Sequence, residues 1–310
     1  MRAQIITVAL LVAMLSASFA ALAAPSYDNS VNGTVTEWRE MFSDDFSQDS
    51  GRWTYGGTFA DPAIRTQGHA RLTPATGTRV GYMWFDTEIT WDFQVEFDYL
   101  IGGGSGADGM VFMFYKDRAY TPGAGGYMGF VGTPGTVQGY GAEFDTWNNG
   151  WGNEPGSNYL GIIEDVPSNH LATSYVSNIR DNAWHHIKVV VEGLVISVYY
   201  DNMVTARITW TAPAAIDRSF GGFGFAAGTG GSTDNHLIDN VVIQKQVTYI
   251  VQDGQVVAEV EYVQGPEVSI EEPQARESET WTMMAGNTAL LAITILVVVL
   301  VAHWIRRKKE

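Results

Sequence analysis

Hydrophobic and polar residues alternate strictly along one central segment of the chain. From Trp91 to Tyr99, aromatic residues and valine occupy every odd position, and polar residues occupy every even position. A period of two belongs to a β-strand that buries one face and exposes the other. The pattern therefore predicts a half-buried strand over residues 91–99.

Shorter apolar segments follow later in the chain. Residues 184–191, 195–200 and 204–210 are each rich in aliphatic or aromatic side chains, and the turn-forming pair Asp201-Asn202 separates the last two. These segments predict consecutive antiparallel strands. The chain also has 34 glycines and 12% aromatic residues, and its central part shows no long amphipathic helical pattern. We therefore expect an all-β sandwich over residues 24–246.

The first residues have the pattern of a secretion signal. Arg2 precedes an apolar run from Ile5 to Ala20, and small residues flank Leu22 just ahead of Ala24-Pro25. A charged start, an apolar centre and a small-residue cleavage site are the three parts of such a signal. We predict that residues 1–23 are a signal peptide that is removed from the mature protein.

The C-terminal end has the pattern of a membrane anchor. The segment from Met283 to Ile305 has no Asp, Glu, Lys or Arg, and it is long enough to cross roughly 30 Å of hydrocarbon as a helix. Trp281 and Trp304 lie near its ends, where amphipathic rings favour the interface, and the basic tail 306–310 indicates a cytoplasmic C-terminus. We predict a transmembrane helix over 282–305, in a single-pass type I protein of the cell membrane with an extracellular ectodomain.

Composition changes after Lys245. Residues 247–281 are rich in Val, Gln and Glu, include Pro266 and Pro273, and lack the glycine and aromatic pattern of the preceding domain. Such a composition favours an extended acidic stalk. The pair Asp253-Gly254 is a turn signal that allows a β-hairpin in the first part of this segment.

Charge and cysteine content narrow the classes of partner. The formal net charge is −16, and the chain has 0 cysteines. A strongly acidic surface repels phosphate backbones, which argues against nucleic acid and favours neutral polar ligands or bound cations. Because no disulfide can form, the stability of the domain must come from a hydrophobic core.

Two carboxylates in the middle of the chain are the strongest candidates for a metal site. In an extended segment Glu143 and Asp145 lie on the same face, where they repel each other unless a cation lies between them. The carbonyl of Trp147 and the side-chain oxygen of Asn149 can reach the same point, and Glu154 returns from the glycine-rich turn that follows. Such an oxygen-rich set suits Ca²⁺. The alternative is that both carboxylates belong to the solvent-exposed face of a strand.

This segment resembles the metal-binding segment of the legume-type (L-type) lectins, and three others resemble that family in the same order. Gly106-Ala107-Asp108-Gly109 is similar to its Ala-Asp-Gly sugar-binding loop, and residues 125–130 are similar to its glycine loop. Residues 224–231 resemble the late strand and the loop that sets specificity. The resemblance covers about residues 37–243 and implies a concanavalin A-like antiparallel β-sandwich (jelly roll) that binds carbohydrate.

The resemblance also implies a role for each matching residue. Asp108 would accept hydrogen bonds from two sugar hydroxyls, with a cis peptide bond before it. Asn149 would serve the cation with its oxygen and the sugar with its NH₂ group. Gly126 would offer a backbone N–H, and Trp147 would present its ring to the sugar while its carbonyl binds Ca²⁺. The loop Gly230-Gly231-Ser232 would set which sugar is bound.

The sequence departs from the family at its second metal. Tyr159 stands where the histidine that binds the transition metal belongs, and Glu154 stands where an aspartate bridges both ions. A phenol is a poor substitute for imidazole, whereas calcium coordination tolerates a longer carboxylate. We therefore expect Ca²⁺ and doubt the second, transition-metal ion.

The same fold also occurs in glycoside hydrolases, so the fold alone does not decide function. Retaining hydrolases need two carboxyl groups about 5 to 5.5 Å apart, and the resemblance implies a Glu-x-Asp-x-(x)-Glu pattern for those of this fold. Here Thr146, Trp147 and Asn148 follow Asp145, so the second catalytic carboxylate is missing. We therefore expect glycan recognition or adhesion without catalysis.

Two further alternatives concern the use and the location of the domain. A purely structural surface domain would bind calcium as a staple and no glycan. A cargo lectin of the eukaryotic secretory pathway would have the same order of signal, lectin domain, stalk, anchor and basic tail. Against the latter, Lys308 and Lys309 stand one position too close to the C-terminus for a dilysine retrieval signal, and cysteine is lacking.

Overall fold

The computed structural model describes residues 25, 27–28, 32–58, 68–117, 121–133, 137–151, 154–216 and 219–260. All of these residues belong to one compact unit. The predicted signal peptide, transmembrane helix and basic tail lie outside these ranges. Within the described ranges, no helix has the length and hydrophobicity needed to cross a membrane.

The described part of the chain is built from β-strands, with one 3-10 turn at Gly125–Tyr127. The strands, in chain order, are β1 (Gly33–Asp44), β2 (Thr54–Gly57), β3 (Ala70–Thr73), β4 (Arg79–Ile89), β5 (Phe93–Gly102), β6 (Gly109–Asp117), β7 (Thr121–Pro122), β8 (Gly132–Thr133), β9 (Gln138–Asp145), β10 (Tyr159–Glu164), β11 (Val166–Tyr175), β12 (His185–Glu192), β13 (Val195–Tyr200), β14 (Ile208–Thr211), β15 (Phe220–Thr229), β16 (Asn235–Gln252) and β17 (Gln255–Val260). The expected all-β class is confirmed.

Two large antiparallel sheets form the domain. The first has eight strands in the order β1-β16-β5-β12-β13-β14, and β3 and β17 also pair with β16. The second has seven strands in the order β11-β10-β9-β6-β15-β4-β2, and β7 and β8 form a separate pair. Neighbouring strands in both sheets are antiparallel.

The hydrophobic core lies between the two large sheets. Phe97 of β5 contacts Phe225 of β15 with ring centroids 4.9 Å apart, and Tyr99 of β5 contacts Phe144 of β9 at 4.6 Å. Aromatic rings bury a large apolar area and prefer the tilted and edge-on contacts seen here. These contacts fix β9 and β15, whose ends carry the candidate site, against the first sheet.

β5 confirms the predicted alternation. Its odd positions from Phe93 to Tyr99 are fully buried, and the polar positions between them are partly exposed. β5 lies between β16 and β12, so its apolar face covers the middle of the core. The strand begins at Phe93 rather than Trp91 and continues to Gly102.

β12, β13 and β14 pair consecutively, as the apolar segments predict. The last of them begins at Ile208 rather than at residue 204, because residues 201–207 form a longer turn. In this turn, Asn202 Oδ1 accepts hydrogen bonds from the backbone N–H groups of Val204 and Thr205, at 2.9 and 3.3 Å. An Asn side chain that bonds to the backbone ahead of it favours a turn over a strand.

The sandwich continues past the predicted boundary at residue 246. β16 runs unbroken to Gln252, and β17 returns beside it through the turn at Asp253-Gly254, where both residues have positive φ. The expected hairpin is present, but the assignment of 247–260 to a stalk is wrong. Val247, Tyr249 and Val251 are buried and the residues between them are partly exposed, because this part of the sheet buries one face, where these three side chains form a small cluster of their own. Residues 261–281 lie outside the described ranges.

Strand pairing brings two loops to one end of the second sheet. Gly109, the first residue of β6, lies opposite Asp145 of β9 on one side and opposite Gly228 of β15 on the other. The β5–β6 loop (residues 103–108) and the β15–β16 loop (residues 230–234) therefore lie beside the end of β9. The predicted site residues come from these segments and from the turns that follow β7 and β9.

Candidate functional site

Glu143 and Asp145 are buried carboxylates at the end of β9. They are 0% and 1% exposed, and Phe144 between them points into the hydrophobic core. The predicted common face is confirmed, but it is not the solvent-exposed face of a strand. Burial, together with the charge of Glu143, raises the pKa of Asp145 to about 9. Burial likewise holds the pKa of Glu143 well above its usual range.

A chain of hydrogen-bonding groups joins the two carboxylates. The Tyr159 hydroxyl donates to Asp145 Oδ2 at 3.2 Å and lies 2.9 Å from His170 Nε2, which in turn lies 2.9 Å from Glu143 Oε2. Gly161 makes room for this contact, because a Cβ atom there would lie 2.8 Å from Glu143 Oε2. Sequence reasoning missed His170, since only the register of β11 against β10 brings it here.

Glu154 returns to the end of β9, as predicted. Its Oε1 accepts the backbone N–H of Asn149 at 2.9 Å, and its Oε2 accepts that of Trp151 at 3.1 Å. Its charge contributes to the raised pKa values of Glu143 and Asp145. The negative charge of a third carboxylate, which lies in the turn, therefore disfavours ionisation of the buried pair.

Trp147 and Asn149 occupy the turn between these carboxylates. The backbone N–H of Trp147 donates to Asp145 Oδ1 at 2.8 Å, and Asn149 Nδ2 lies 3.5 Å from the Trp147 carbonyl oxygen. Four of the predicted metal ligands, Asp145, Trp147, Asn149 and Glu154, are thus linked by hydrogen bonds, and Glu143 joins them through His170 and Tyr159. Glu143 Oε1 is buried and has no hydrogen-bond partner within the described residues. In the same part of the chain, no three His, Cys, Asp or Glu side chains by themselves form a metal-binding group.

Asp108 ends the β5–β6 loop as a second kind of buried carboxylate. The Ala107–Asp108 peptide bond is cis, as the resemblance implies. Burial raises the pKa of Asp108 to about 6, and its Oδ2 has no hydrogen-bond partner among the described residues. Its carbonyl oxygen accepts hydrogen bonds from both N–H and Oγ1 of Thr146, each at 3.0 Å, which attaches the loop to the end of β9. Backbone hydrogen bonds therefore fix the position of Asp108 and leave its Oδ2 available to accept a hydrogen bond from a ligand.

Close backbone approach at two glycines completes the site. A Cβ atom on Gly230 would lie 3.1 Å from Asp108 Oδ2, and one on Gly126 would lie 2.5 Å from the Asn149 amide. Side chains at either position would fill the space against these polar groups. Gly231 is open to solvent in the same loop as Gly230, and the Ser232 carbonyl accepts the Gly230 N–H at 3.2 Å. The seven predicted sugar-binding residues thus lie on loops that meet at one end of the sandwich.

Exposed aromatic rings border this site. Trp147 is 43% exposed and Tyr127, which follows Gly126, is 50% exposed. The Tyr127 ring stacks on Trp151 with centroids 6.2 Å apart. Large rings with a polar group at one end are common at interaction surfaces. Tyr127 was not among the predicted site residues, although its place in the glycine loop could have indicated it.

Comparison with known proteins supports the fold rather than a close relationship. No family model and no curated protein sequence matches the chain. Among solved structures, the VIP36 exoplasmic/lumenal domain bound to Ca²⁺ and Man3GlcNAc is 18% identical, with a TM-score of 0.53, covering 67% of this chain and 90% of that one. Metal-free lectin I-B4 from Griffonia simplicifolia is 18% identical, with a TM-score of 0.55, covering 68% and 99%. The acidic lectin of winged bean, complexed with methyl-α-D-galactose, is 16% identical, with a TM-score of 0.53, covering 69% and 99%. The chain therefore contains a domain with the concanavalin A-like fold of the L-type lectins.

Proposed function

We propose that this protein is a calcium-dependent, L-type lectin-like carbohydrate-binding protein of the cell surface that recognises glycans without catalysis. The observation that carries the proposal is the carboxylate of Asp108, buried with an unpartnered Oδ2 beside Gly230. A buried carboxylate without donors costs free energy, and sugar hydroxyls are suitable donors. The neighbouring Asn149 amide and the backbone at Gly126 supply further polar groups for the same ligand.

Calcium is the cofactor that the carboxylates favour. Glu143, Asp145 and Glu154 would hold the ion together with the Trp147 carbonyl and the Asn149 side-chain oxygen. Calcium takes carboxylate, carbonyl and amide oxygens in flexible geometry, and its positive charge would offset the free-energy cost of burying two carboxylates. The unpartnered Oε1 of Glu143 supports this assignment. Solved structures of the same fold include a Ca²⁺-bound form.

A second metal ion has less support from these residues. His170 Nε2 already contacts both Glu143 Oε2 and the Tyr159 hydroxyl. Tyr159 takes the place of the histidine that the resemblance would require, so we propose one calcium ion without a transition metal. Element analysis of the purified protein after dialysis against Ca²⁺ and Mn²⁺ tests this stoichiometry.

Binding without catalysis agrees with the placement of the carboxylates. Glu143 and Asp145 are fully buried, and both contact the Tyr159 and His170 cluster. A glycoside hydrolase needs a pair of carboxyl groups on either side of the scissile bond. Neither buried carboxylate is accessible to a glycosidic bond, so we assign the site to recognition.

Location remains a proposal that rests on the two ends of the sequence. The predicted N-terminal signal, the predicted C-terminal anchor and the basic tail favour a type I protein with an extracellular lectin domain. The likeness to the VIP36 exoplasmic/lumenal domain favours a secretory-pathway lectin as the second candidate. Protease treatment of intact cells separates them, because only a surface domain is cleaved from outside.

A glycan array tests the proposed function directly. The purified protein should bind one class of glycan in Ca²⁺, and binding should disappear in EDTA and return when Ca²⁺ is restored. The array should include mannose- and galactose-terminated glycans, the kinds present in two solved structures of this fold. A protein that binds Ca²⁺ but none of the glycans would contradict the lectin proposal and support a structural domain with a calcium staple.

A further inference from the structure

Arg180 and Asp234 form a bidentate ion pair behind the candidate glycan site. Arg180 Nε donates to Asp234 Oδ2 at 2.7 Å, and Nη2 donates to Oδ1 at 3.0 Å. The Asp234 side chain is fully buried, whereas that of Arg180 is 30% exposed. Paired N–H···O bonds between a guanidinium and a carboxylate restrict geometry more than a single contact does.

Asp234 and its neighbour hold the backbone of the β5–β6 loop. Asp234 Oδ1 also accepts the N–H of Gly104 at 3.0 Å. The carbonyl of Thr233 accepts the N–H groups of Ser105 and Gly106, at 2.7 and 3.0 Å. The β15–β16 loop therefore holds three consecutive amides of the loop that ends in Asp108.

Arg180 packs on the same loop from outside. A Cβ atom on Gly106 would lie 3.3 Å from the guanidinium carbon of Arg180, so the cation lies directly on that glycine. Gly106 also has a φ of +96°, a conformation that other residues rarely adopt. The arginine thus contacts one loop through its packing and the other through Asp234.

The far ends of these two loops carry predicted sugar ligands. The N–H of Asp108 donates to the carbonyl of Gly228 at 3.0 Å, just before the β15–β16 loop begins. Gly230 in that loop lies against Asp108 Oδ2. A shift between the two loops would therefore separate Asp108 from the Gly230–Ser232 segment.

The geometry points to Arg180 and Asp234 as positioning residues that fix Asp108 relative to the Gly230–Ser232 segment, an inference that rests on the proposed glycan site. Neither residue is part of the hydrophobic core. Buried ion pairs often contribute little net stability compared with apolar side chains, and in some proteins they instead fix one arrangement of the chain. The role of this pair is to hold the sugar loops in one arrangement before the ligand binds.

The test compares glycan affinity, calcium response and loop protection in matched variants. Arg180→Met keeps much of the length of the side chain but removes its charge and its hydrogen-bond donors. Arg180→Lys keeps the charge but cannot form the bidentate pair. Arg39→Met is the control, because Arg39 makes an equivalent pair with Glu259 at 2.9 and 2.7 Å and is 29% exposed, outside the two loops. The readouts are Kd for the strongest glycan on the array, the melting shift caused by Ca²⁺, and hydrogen exchange of residues 103–108.

We expect Arg180→Met to weaken glycan affinity by roughly tenfold or more, to speed exchange in residues 103–108, and to leave the calcium shift unchanged. Arg180→Lys should be intermediate, and Arg39→Met should match the wild type in all but melting temperature. Unchanged glycan affinity in a folded Arg180→Met protein, or an equal loss in Arg39→Met, would overturn the inference. A wild-type protein that binds no glycan overturns the proposed function instead, and loop exchange then still decides whether the pair holds the loop.

Discussion

His170 Nε2 lies 2.9 Å from Glu143 Oε2, so an imidazole from β11 contacts a fully buried carboxylate of β9 across the intervening strand. Tyr159 extends this contact to Asp145 through its hydroxyl. Three neighbouring strands are thereby connected through their side chains as well as through their backbone ladders. The stability of this end of the sheet should depend on the connection.

We predict that His170→Ala lowers the melting temperature of the calcium-free protein. The variant leaves Glu143 buried without its imidazole partner, which costs about 1 to 3 kcal/mol. His170→Gln, whose amide can still hydrogen-bond to Glu143, should lose less. The measurement is thermal unfolding followed by circular dichroism in EDTA, and equal melting temperatures for wild type and His170→Ala would show that the contact adds nothing.

We predict that Ca²⁺ raises the melting temperature of the wild-type protein and that Asp145→Ala abolishes this rise. An ion that binds only the folded state stabilises it by about 2.7 kcal/mol at 100 times its Kd. Asp44→Asn is a suitable control, because this buried carboxylate accepts bonds from Phe46, Ser50 and Trp53 and lies on β1. Asp44→Asn should melt lower yet keep the full calcium shift. Identical wild-type melting curves in EDTA and in Ca²⁺ would refute the metal site.

We predict that two substitutions separate the sugar site from the metal site. Asp108→Ala should remove glycan binding and keep the calcium shift, because we propose that this carboxylate contacts the sugar and not the ion. Asn149→Ala should weaken both glycan binding and the calcium shift, since we propose that its amide contacts both the ion and the sugar. Loss of a charged hydrogen-bonding partner costs roughly 1.5 to 3 kcal/mol, enough to erase a weak lectin affinity. If Asp108 instead controlled calcium and Asn149 were dispensable, the roles would be assigned to the wrong residues.

We predict that His236 makes the fold less stable in mild acid. Burial lowers its pKa to about 4, a shift that Asp234 opposes and Arg180 reinforces. Because the unfolded chain takes up the proton near pH 6.5 and the folded chain does not, stability is lost as pH falls below about 6.5, by about 2 kcal/mol near pH 5. Above that pH the residue has no such effect. His236→Gln should therefore show a smaller fall in melting temperature between about pH 7 and pH 5, and equal falls would refute the prediction.

The sequence predicts the features that depend on local pattern. β5 follows from its period of two, and the common face of Glu143 and Asp145 follows from the geometry of an extended chain. The assignment of Asp108, Gly126 and Asn149 to one site came from motifs in a fixed order. In the structure the loops that carry these residues lie side by side, because β6 pairs with both β9 and β15.

Features that depend on register or on contacts between loops were not predictable in this way. His170 reaches Glu143 only through the irregular pairing of β10 with β11. Arg180 and Asp234 are far apart in sequence and belong to no motif, so their pairing depends on the folded arrangement of the loops. Residues 247–260 were misassigned because a strand that buries one face has nearly the composition of a polar linker.

The length of β16 sets the distance between the β16–β17 hairpin and the candidate site. This strand starts at Asn235, directly after the β15–β16 loop, and Thr248 further along it lies opposite Val260, the last described residue. At about 3.3 Å per residue these two points are about 40 Å apart. The β15–β16 loop and the β16–β17 hairpin thus lie at distant ends of one continuous strand. Because β17 pairs with the far part of β16, local opening of this hairpin would begin far from the predicted sugar residues and leave them in place.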